Sequence, residues 1–376
     1  MCEGFVLADE NMREKYPIDE ERNGMDDHRQ EYRLIPWKRA WEENKNEIQG
    51  SLERENQGTG TDADRRINSG CGAVDRTPVM PENVLQEEYG KECSRRPVLT
   101  EQRVRLACGE EFPMLTFPLL SQCGCVQHGF TTRAGGVSGG EWSSLNLSFT
   151  RGDDEAAVRE NFRRVAEAFG VKPEQIVCSM QTHTTNVRRV SAADGGAGVT
   201  RPLPWADVDG LITDEPGILL GTFYADCVPL YFVDPVHRAI GLSHSGWRGT
   251  VSRMGEVTLA AMADAFGSRP QEVLCAIGPS ICQSCYEVSG DVAEQFSAAF
   301  PGAGAELLYH TTGDKYQLNL WEANRRVLLD AGVLPEHLQI TDICTCCNPH
   351  NLFSHRYTEG RRGNLGAFLM LKPEGA

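Results

Sequence analysis

The chain has 376 residues, 40% of them hydrophobic, and a formal net charge of -16. That length allows one large domain with an appendage, and the acidic balance argues against sequence-independent binding to nucleic acid or to anionic membranes, both of which need a basic footprint. No run reaches the roughly 18–20 apolar residues of a spanning helix. The start, MCEGFVLADENMREKY, lacks the basic-then-apolar order of a signal peptide, so a cytoplasmic location is expected.

Residues 1–97 are charged and poor in apolar runs, as in Glu53-Arg54-Glu55-Asn56-Gln57-Gly58. Such composition buries too little surface to offset ordering entropy, which predicts a disordered extension of unknown partner. Trp37, Trp41, Ile48 and Leu52 share one helical face and read as a short amphipathic helix within it. From residue 98 to 376 the chain reads as one catalytic domain. Strands are expected at 126–131, 176–181, 217–224, 228–233, 239–243 and 273–277. Helices are expected after Asp153-Asp154, ending at Gly170, and at about 251–266, 288–299 and 319–331, the last stopping at Gly332. The elements do not alternate strictly as βαβ, which favours an antiparallel or mixed sheet covered by helices.

The 14 cysteines, with no export signal, read as metal ligands, nucleophiles or core residues rather than disulfides. Cys108, Cys123, Cys125, Cys178 and Cys275 read as buried hydrophobes. Three strings concentrate chemistry: Gln181-Thr182-His183, Ala225-Asp226-Cys227 and His244-Ser245-Gly246-Trp247-Arg248-Gly249. The last two flank a turn at residues 233–238. A two-residue loop at Pro235-Val236 would set Asp234 opposite His237 and Cys227 directly opposite His244, close enough to share one ion. With His183 they would make a three-ligand set of the catalytic zinc kind, its fourth position left to water or substrate. Spacing alone leaves the plainer reading open: a satisfied strand histidine and a core cysteine.

Residues 132–140 form a glycine-rich string, read as a flexible loop. It lacks the spacing of a P-loop, and Arg133 within it reads either as an anion anchor or as part of a surface loop. Near the C-terminus, Cys344, Cys346, Cys347 and His350 crowd together, with Cys282 and Cys285 available to complete a set. They read as reduced packing thiols in preference to a second metal site.

These strings, with His128-Gly129-Phe130-Thr131-Thr132-Arg133, Ser144-Leu145-Asn146-Leu147, Asp207-Val208-Asp209-Gly210, Gly278-Pro279-Ser280-Ile281, Tyr286-Glu287-Val288 and Phe353-Ser354-His355-Arg356, occur in the order seen in the YfiH-like polyphenol oxidase or laccase-domain family. That family is also described as purine nucleoside phosphorylase-like, and the resemblance covers about residues 110–373. It implies an α+β fold, a four-layer α/β/β/α sandwich with mixed sheets. It implies zinc held by His183, Cys227 and His244. It also implies phosphorolysis of adenosine, inosine and methylthioadenosine, with adenosine deaminase activity. Copper is reported for the family, but nine histidines with no His-x-His pair do not suit a trinuclear copper cluster. Arg133 and Arg248 are then expected to hold phosphate, and Asn146 the ribose or base. Trp247 reads equally as a base-stacking platform or as core. A Thr-Gly-Arg string common in the family reads Arg362-Gly363-Asn364 here, with Arg361 or Arg362 as its substitute. The rival reading is a metal-free Cys227–His244 dyad performing acyl or amide hydrolysis, of the peptidoglycan-precursor-editing type.

Overall fold

The computed structural model describes residues 98–373; the expectations for residues 1–97, including the Trp37/Trp41 helix, lie outside them. In chain order the strands are β1 (Thr100–Arg105), β2 (Glu111–Thr116), β3 (Val126–Thr131), β4 (Ile176–Cys178), β5 (Val187–Arg189), β6 (Gly210–Thr213), β7 (Leu219–Tyr224), β8 (Val228–Asp234) and β9 (Ala239–Ser245). They continue with β10 (Leu274–Ile277), β11 (Glu287–Ser289), β12 (Leu308–His310), β13 (Lys315–Leu318), β14 (Leu338–Ile340) and β15 (Leu365–Leu371). The helices are α1 (Pro118–Gln122), α2 (Glu155–Ala168), α3 (Trp247–Val251), α4 (Met254–Phe266), α5 (Gly290–Ala299) and α6 (Leu320–Asp330). Among the described residues no helix is long and apolar enough to cross a membrane.

One six-stranded sheet runs β1-β2-β3-β15-β7-β4 and a second runs β14-β10-β8-β9-β6-β5, with a small β11-β13-β12 sheet beside them. Both large sheets are mixed: antiparallel pairing dominates, and the pairs β4–β7, β5–β6 and β10–β14 are parallel. Alternation along the strands sets the layers. In β8, Tyr231 and Val233 enter the core between the sheets, while Val228, Leu230 and Phe232 face the other way. In β15, Ala367 and Leu369 point inward, and Phe368 and Met370 point outward. Such strands are apolar on both faces because both faces are covered. Val158, Phe162 and Val165 of α2 cover the first sheet. Leu259 of α4, Phe296 of α5 and Val327 of α6 cover the second. The result is the expected helix–sheet–sheet–helix order.

The helix ends follow from local chemistry. Asp154 caps α2 by accepting from the Ala156 amide, and Gly170, at φ 67°, ends it in the left-handed conformation. Asn319 caps α6 in the same way, accepting from the Glu322 amide. The β8–β9 hairpin departs from expectation. Its loop has four residues instead of two, so Asp234 pairs with Ala239 and His244 sits opposite Pro229. Asp234 accounts for this: its buried carboxylate accepts from the Val236 and His237 amides and bonds the His237 ring, which closes the longer turn.

The glycine-rich string is a packed turn. A Cβ on Gly136 would lie 2.2 Å from the Ser144 carbonyl oxygen, so the backbone there closes against residues 144–145. Asn161 of α2, fully buried, holds the loop by accepting from the Val137 amide and donating to Ser138 Oγ and the Asn146 carbonyl. Asn161→Ala is expected to leave these groups buried without partners and to destabilise the domain by about 2–4 kcal/mol. Urea unfolding of the two proteins measures it; a change within experimental error would show that water replaces the amide.

Candidate functional site

Two crossings of the chain build the site. Strands β4 and β7 lie side by side and parallel in the first sheet. From the C-terminal end of each, the chain passes to the second sheet: residues 179–186 lead to β5 and residues 225–227 to β8. His183 sits on the first crossing and Cys227 on the second. His244 lies near the end of β9. The two-residue shift in hairpin register preserves side-chain parity, so Cys227 lies diagonal to His244 on the same face. The two imidazoles and the thiol come together, with one ligand atom from each within 4.8 Å of the others.

Asp209 holds this arrangement. Its fully buried carboxylate accepts from the amides of Thr182, His183 and Thr184 and from the Thr184 hydroxyl, at 3.0–3.1 Å. It also bonds His244 Nδ1 at 2.7 Å. The amide contacts hold His183 at φ 66°, a left-handed conformation a β-substituted residue rarely adopts. Gln181 anchors the same crossing by a two-way bond with the Phe223 backbone, at 2.7 Å each way. With Nδ1 occupied, His244 presents Nε2 to the site. His183 Nε2 stands 3.8 Å from Cys227 Sγ, and the two imidazoles meet edge to face at 4.9 Å.

A metal ion fits this donor set. Ligand bonds of about 2.0–2.3 Å in tetrahedral geometry place donors about 3.3–3.8 Å apart. The Asp209–His244 pair is the carboxylate–histidine arrangement that fixes a metal-binding tautomer. Gly246 leaves the room: a Cβ there would lie 2.8 Å from the His183 ring and 3.2 Å from Cys227 Sγ. Electrostatics prepares the thiol. Burial pushes Cys227 up, but His244 and the His183 hydrogen bond outweigh it and bring the thiol down to about 6. Burial pushes His244 down, and Cys227 and Asp209 outweigh it, raising the ring to about 9. Both shifts favour a thiolate beside an imidazolium. The thiolate is the form a metal binds, and the imidazolium must release its Nε2 proton.

All three residues line a cavity of about 760 Å³ that also exposes Phe149, Met180, Phe223, Arg151 and Arg362. The other residues expected at the site lie elsewhere. Arg133 spends its guanidinium on the Ser143 and Pro349 carbonyls, at 2.7 and 2.8 Å, over the Phe353 ring. Asn146 is fully buried, donating to Ser148 O and Asp153 and accepting from the Asn364 amide. Both tie loops together, and neither lines the cavity. Arg248 is exposed and lies over the Trp247 ring at 4.3 Å, which also covers the face expected to stack a base. Arg362, by contrast, lines the cavity. It is 8% exposed, bonds Asn364 Oδ1, and its Nε is buried without a partner. Burial, and then the neighbouring Arg151, push its guanidinium down to about 10, against the pull of Asp226 and Cys227.

Sequence reasoning assigned no role to Asp209 or Arg151, although Asp209 stands within a quoted string. A signal existed: the aspartate of Asp209-Gly210 immediately precedes a strand that needs no loop acceptor. Asp209→Asn is expected to keep the fold but weaken metal binding about 10–100-fold, because an amide presents the wrong atoms to His244 and the turn amides. Gly246→Ala is expected to lower metal content while leaving circular dichroism unchanged. Metal titration of both variants checks this, and wild-type affinity in either would show that the cluster tolerates displacement.

The family described as multi-copper polyphenol oxidoreductase laccase matches residues 127–372. A relative from Geobacillus stearothermophilus, named purine nucleoside phosphorylase YlmD, is 37% identical over 249 residues, 65% of this chain and 90% of that protein. The crystal structure of YlmD from that organism superposes with a TM-score of 0.67 at 34% identity, covering 74% of this chain and 100% of that one. A protein named adenosine deaminase RL5, from an unknown prokaryotic organism, is 32% identical over 229 residues, 60% of this chain and 87% of that protein. The shared strings, the layered fold and the gathered His183, Cys227 and His244 lead to one conclusion: the chain belongs to this laccase-domain family of enzymes.

Proposed function

We propose that the protein is a zinc-dependent purine nucleoside phosphorylase acting on adenosine, inosine and methylthioadenosine, with adenosine deaminase activity. The observation that carries this reading is one cavity holding the His183–Cys227–His244 group, an aromatic wall and a buried arginine with an unpartnered Nε. The names of the relatives support it. Phe149 and Phe223, with Met180, offer apolar surface for a flat base. Arg362 and Arg151 offer the charge for phosphate. An anion between them would relieve their mutual repulsion.

In phosphorolysis a phosphate oxygen bonds to the sugar C1′ as the C1′–N9 bond breaks, and the base leaves with a proton. Arg362 and Arg151 hold the nucleophile, and the aromatic wall holds the leaving base. His183, Cys227 and His244 would hold a zinc ion, which would supply positive charge within the cavity. Deamination consumes water at C6 and needs no second anion. Zinc suits the His₂Cys set, and the sequence offers no set for a trinuclear copper cluster. One observation favours a second reading: Cys227 grouped with His244, with Asp209 bonded behind the imidazole, has the order of a metal-free cysteine hydrolase.

Arg151→Ala is expected to lower phosphorolysis about ten- to a hundredfold, the worth of one charge-assisted contact of about 1.5–3 kcal/mol, and largely to spare deamination. Arg362→Lys should act in the same direction, and Arg248→Ala should leave both activities unchanged. Ribose-1-phosphate and inosine release from adenosine, measured on the same preparations, separate the outcomes. Equal loss of both activities in Arg151→Ala would move that arginine from phosphate to nucleoside. Full activity in metal-free protein, abolished by thiol alkylation, would instead favour the hydrolase dyad.

A further inference from the structure

The sequence reading treated the C-terminal cysteines as packing thiols, and the fold regroups them. Strands β10 and β14 are parallel neighbours, and a bridge between Ser280 and Cys344 extends their pairing. Each strand is followed by a Cys-x-x-Cys turn: Cys282 with Cys285, and Cys344 with Cys347. The topology sets these turns face to face. All four sulfurs lie within 4.8 Å of one another, and Cys346 and His350 fall outside the group.

We propose that Cys282, Cys285, Cys344 and Cys347 form a tetrathiolate zinc site that holds the catalytic cavity in shape. The Cys285–Cys347 sulfurs are 3.4 Å apart and the Cys282–Cys347 sulfurs 4.0 Å. Four thiolates on one zinc, with bonds of about 2.3 Å, stand about 3.8 Å apart, so the observed spacing brackets that of a single ion. An iron–sulfur cluster puts further atoms between its thiolates, and these sulfurs leave no such room. The backbone is arranged for a charged sulfur as well. The amides of Cys282 and Cys347 both point at Cys344 Sγ, at 3.3 and 3.4 Å. These are the hydrogen bonds that stabilise a metal-bound thiolate.

The residues beside these cysteines explain what the ion would hold. Ile281 donates its amide to the Asp226 carbonyl at 3.0 Å, and Thr345 donates its hydroxyl to the Asp226 carboxylate at 2.7 Å. The Arg356 amide binds the other carboxylate oxygen at 2.7 Å. Asp226 has φ 88° and immediately precedes Cys227. Clamping the two Cys-x-x-Cys turns therefore fixes the backbone that aims the Cys227 thiol. It also fixes the start of the segment that returns to the cavity at Arg362.

The test removes the first metal group and asks whether a second ion remains. Full-length His183→Ala/His244→Ala protein, purified from zinc-replete culture, is expected to retain one zinc per chain. When loaded with cobalt it should show the intense sulfur-to-cobalt charge-transfer absorption of a four-thiolate site. Cys344→Ser and Cys282→Ser in the same background should lose that ion and the absorption, and should melt earlier. In the wild-type background Cys282→Ser should also weaken zinc at the His183 group, read as a rise in dissociation constant. The cobalt spectrum needs no cysteine variant, so it decides even if those variants do not fold. A His183→Ala/His244→Ala protein without zinc that takes up no cobalt would overturn the proposal. So would non-reducing mass spectrometry of fresh protein showing a Cys285–Cys347 disulfide.

Discussion

The buried carboxylate of Asp209 is the constraint on which the site depends. A charge removed from water is costly unless every lone pair is met, and here five donors meet it: three consecutive amides, a hydroxyl and an imidazole. This satisfaction makes an unfavourable turn tolerable. Residues 182–184 fold around the carboxylate, His183 takes a left-handed backbone, and His244 is held by the nitrogen that does not face the cavity. One side chain thus orients two of the three candidate ligands.

The layered architecture supplies the setting. A sandwich of two mixed sheets must let the chain pass between them, and it does so twice at adjacent parallel strand ends. Crossings of this kind leave backbone groups unpaired by either sheet, which is why polar side chains such as Gln181 and Asp209 gather there. A ligand pocket at the carboxyl ends of parallel strands follows the general habit of α/β sheets. The cavity also reverses the sign of the molecule's overall charge. The chain carries -16, yet Arg151 and Arg362 both line the cavity, where burial, and then Arg151, depress Arg362. Net charge argues against polyanion binding across the surface, while local arginines suit a small anion in a pocket.

Much of the fold was legible. The amphipathic period and caps located α2 and α6 to within a residue or two, and the apolar runs located β3, β8 and β9. Strand β15, central in the first sheet, was not expected although Leu365–Leu371 is an apolar run of the same kind; buried on both faces, it lacks the alternation that separates a strand from a buried helical segment. The hairpin register was misjudged because turn length depends on how Asp234 closes the loop, a three-dimensional fact about one carboxylate. The grouping of Cys227 with His244 does not depend on that register, because a shift of two residues keeps the same face.

The family strings by themselves pointed to His183, Cys227 and His244 as one group and to the enzyme family, where spacing and residue type alone left a plainer reading open. Only the tertiary structure decided which arginines face the cavity. Arg133 and Arg362 are equally cationic in the sequence, but one is consumed by backbone carbonyls and the other is buried with an unpartnered nitrogen. Likewise, Cys344 and Cys347 are nearest in sequence to Cys346 and His350, and in space they share one group with Cys282 and Cys285. The physical reason is common to both cases. A side chain's chemistry is local, but its partners are set by parallel strand pairing and by crossings that join residues far apart along the chain.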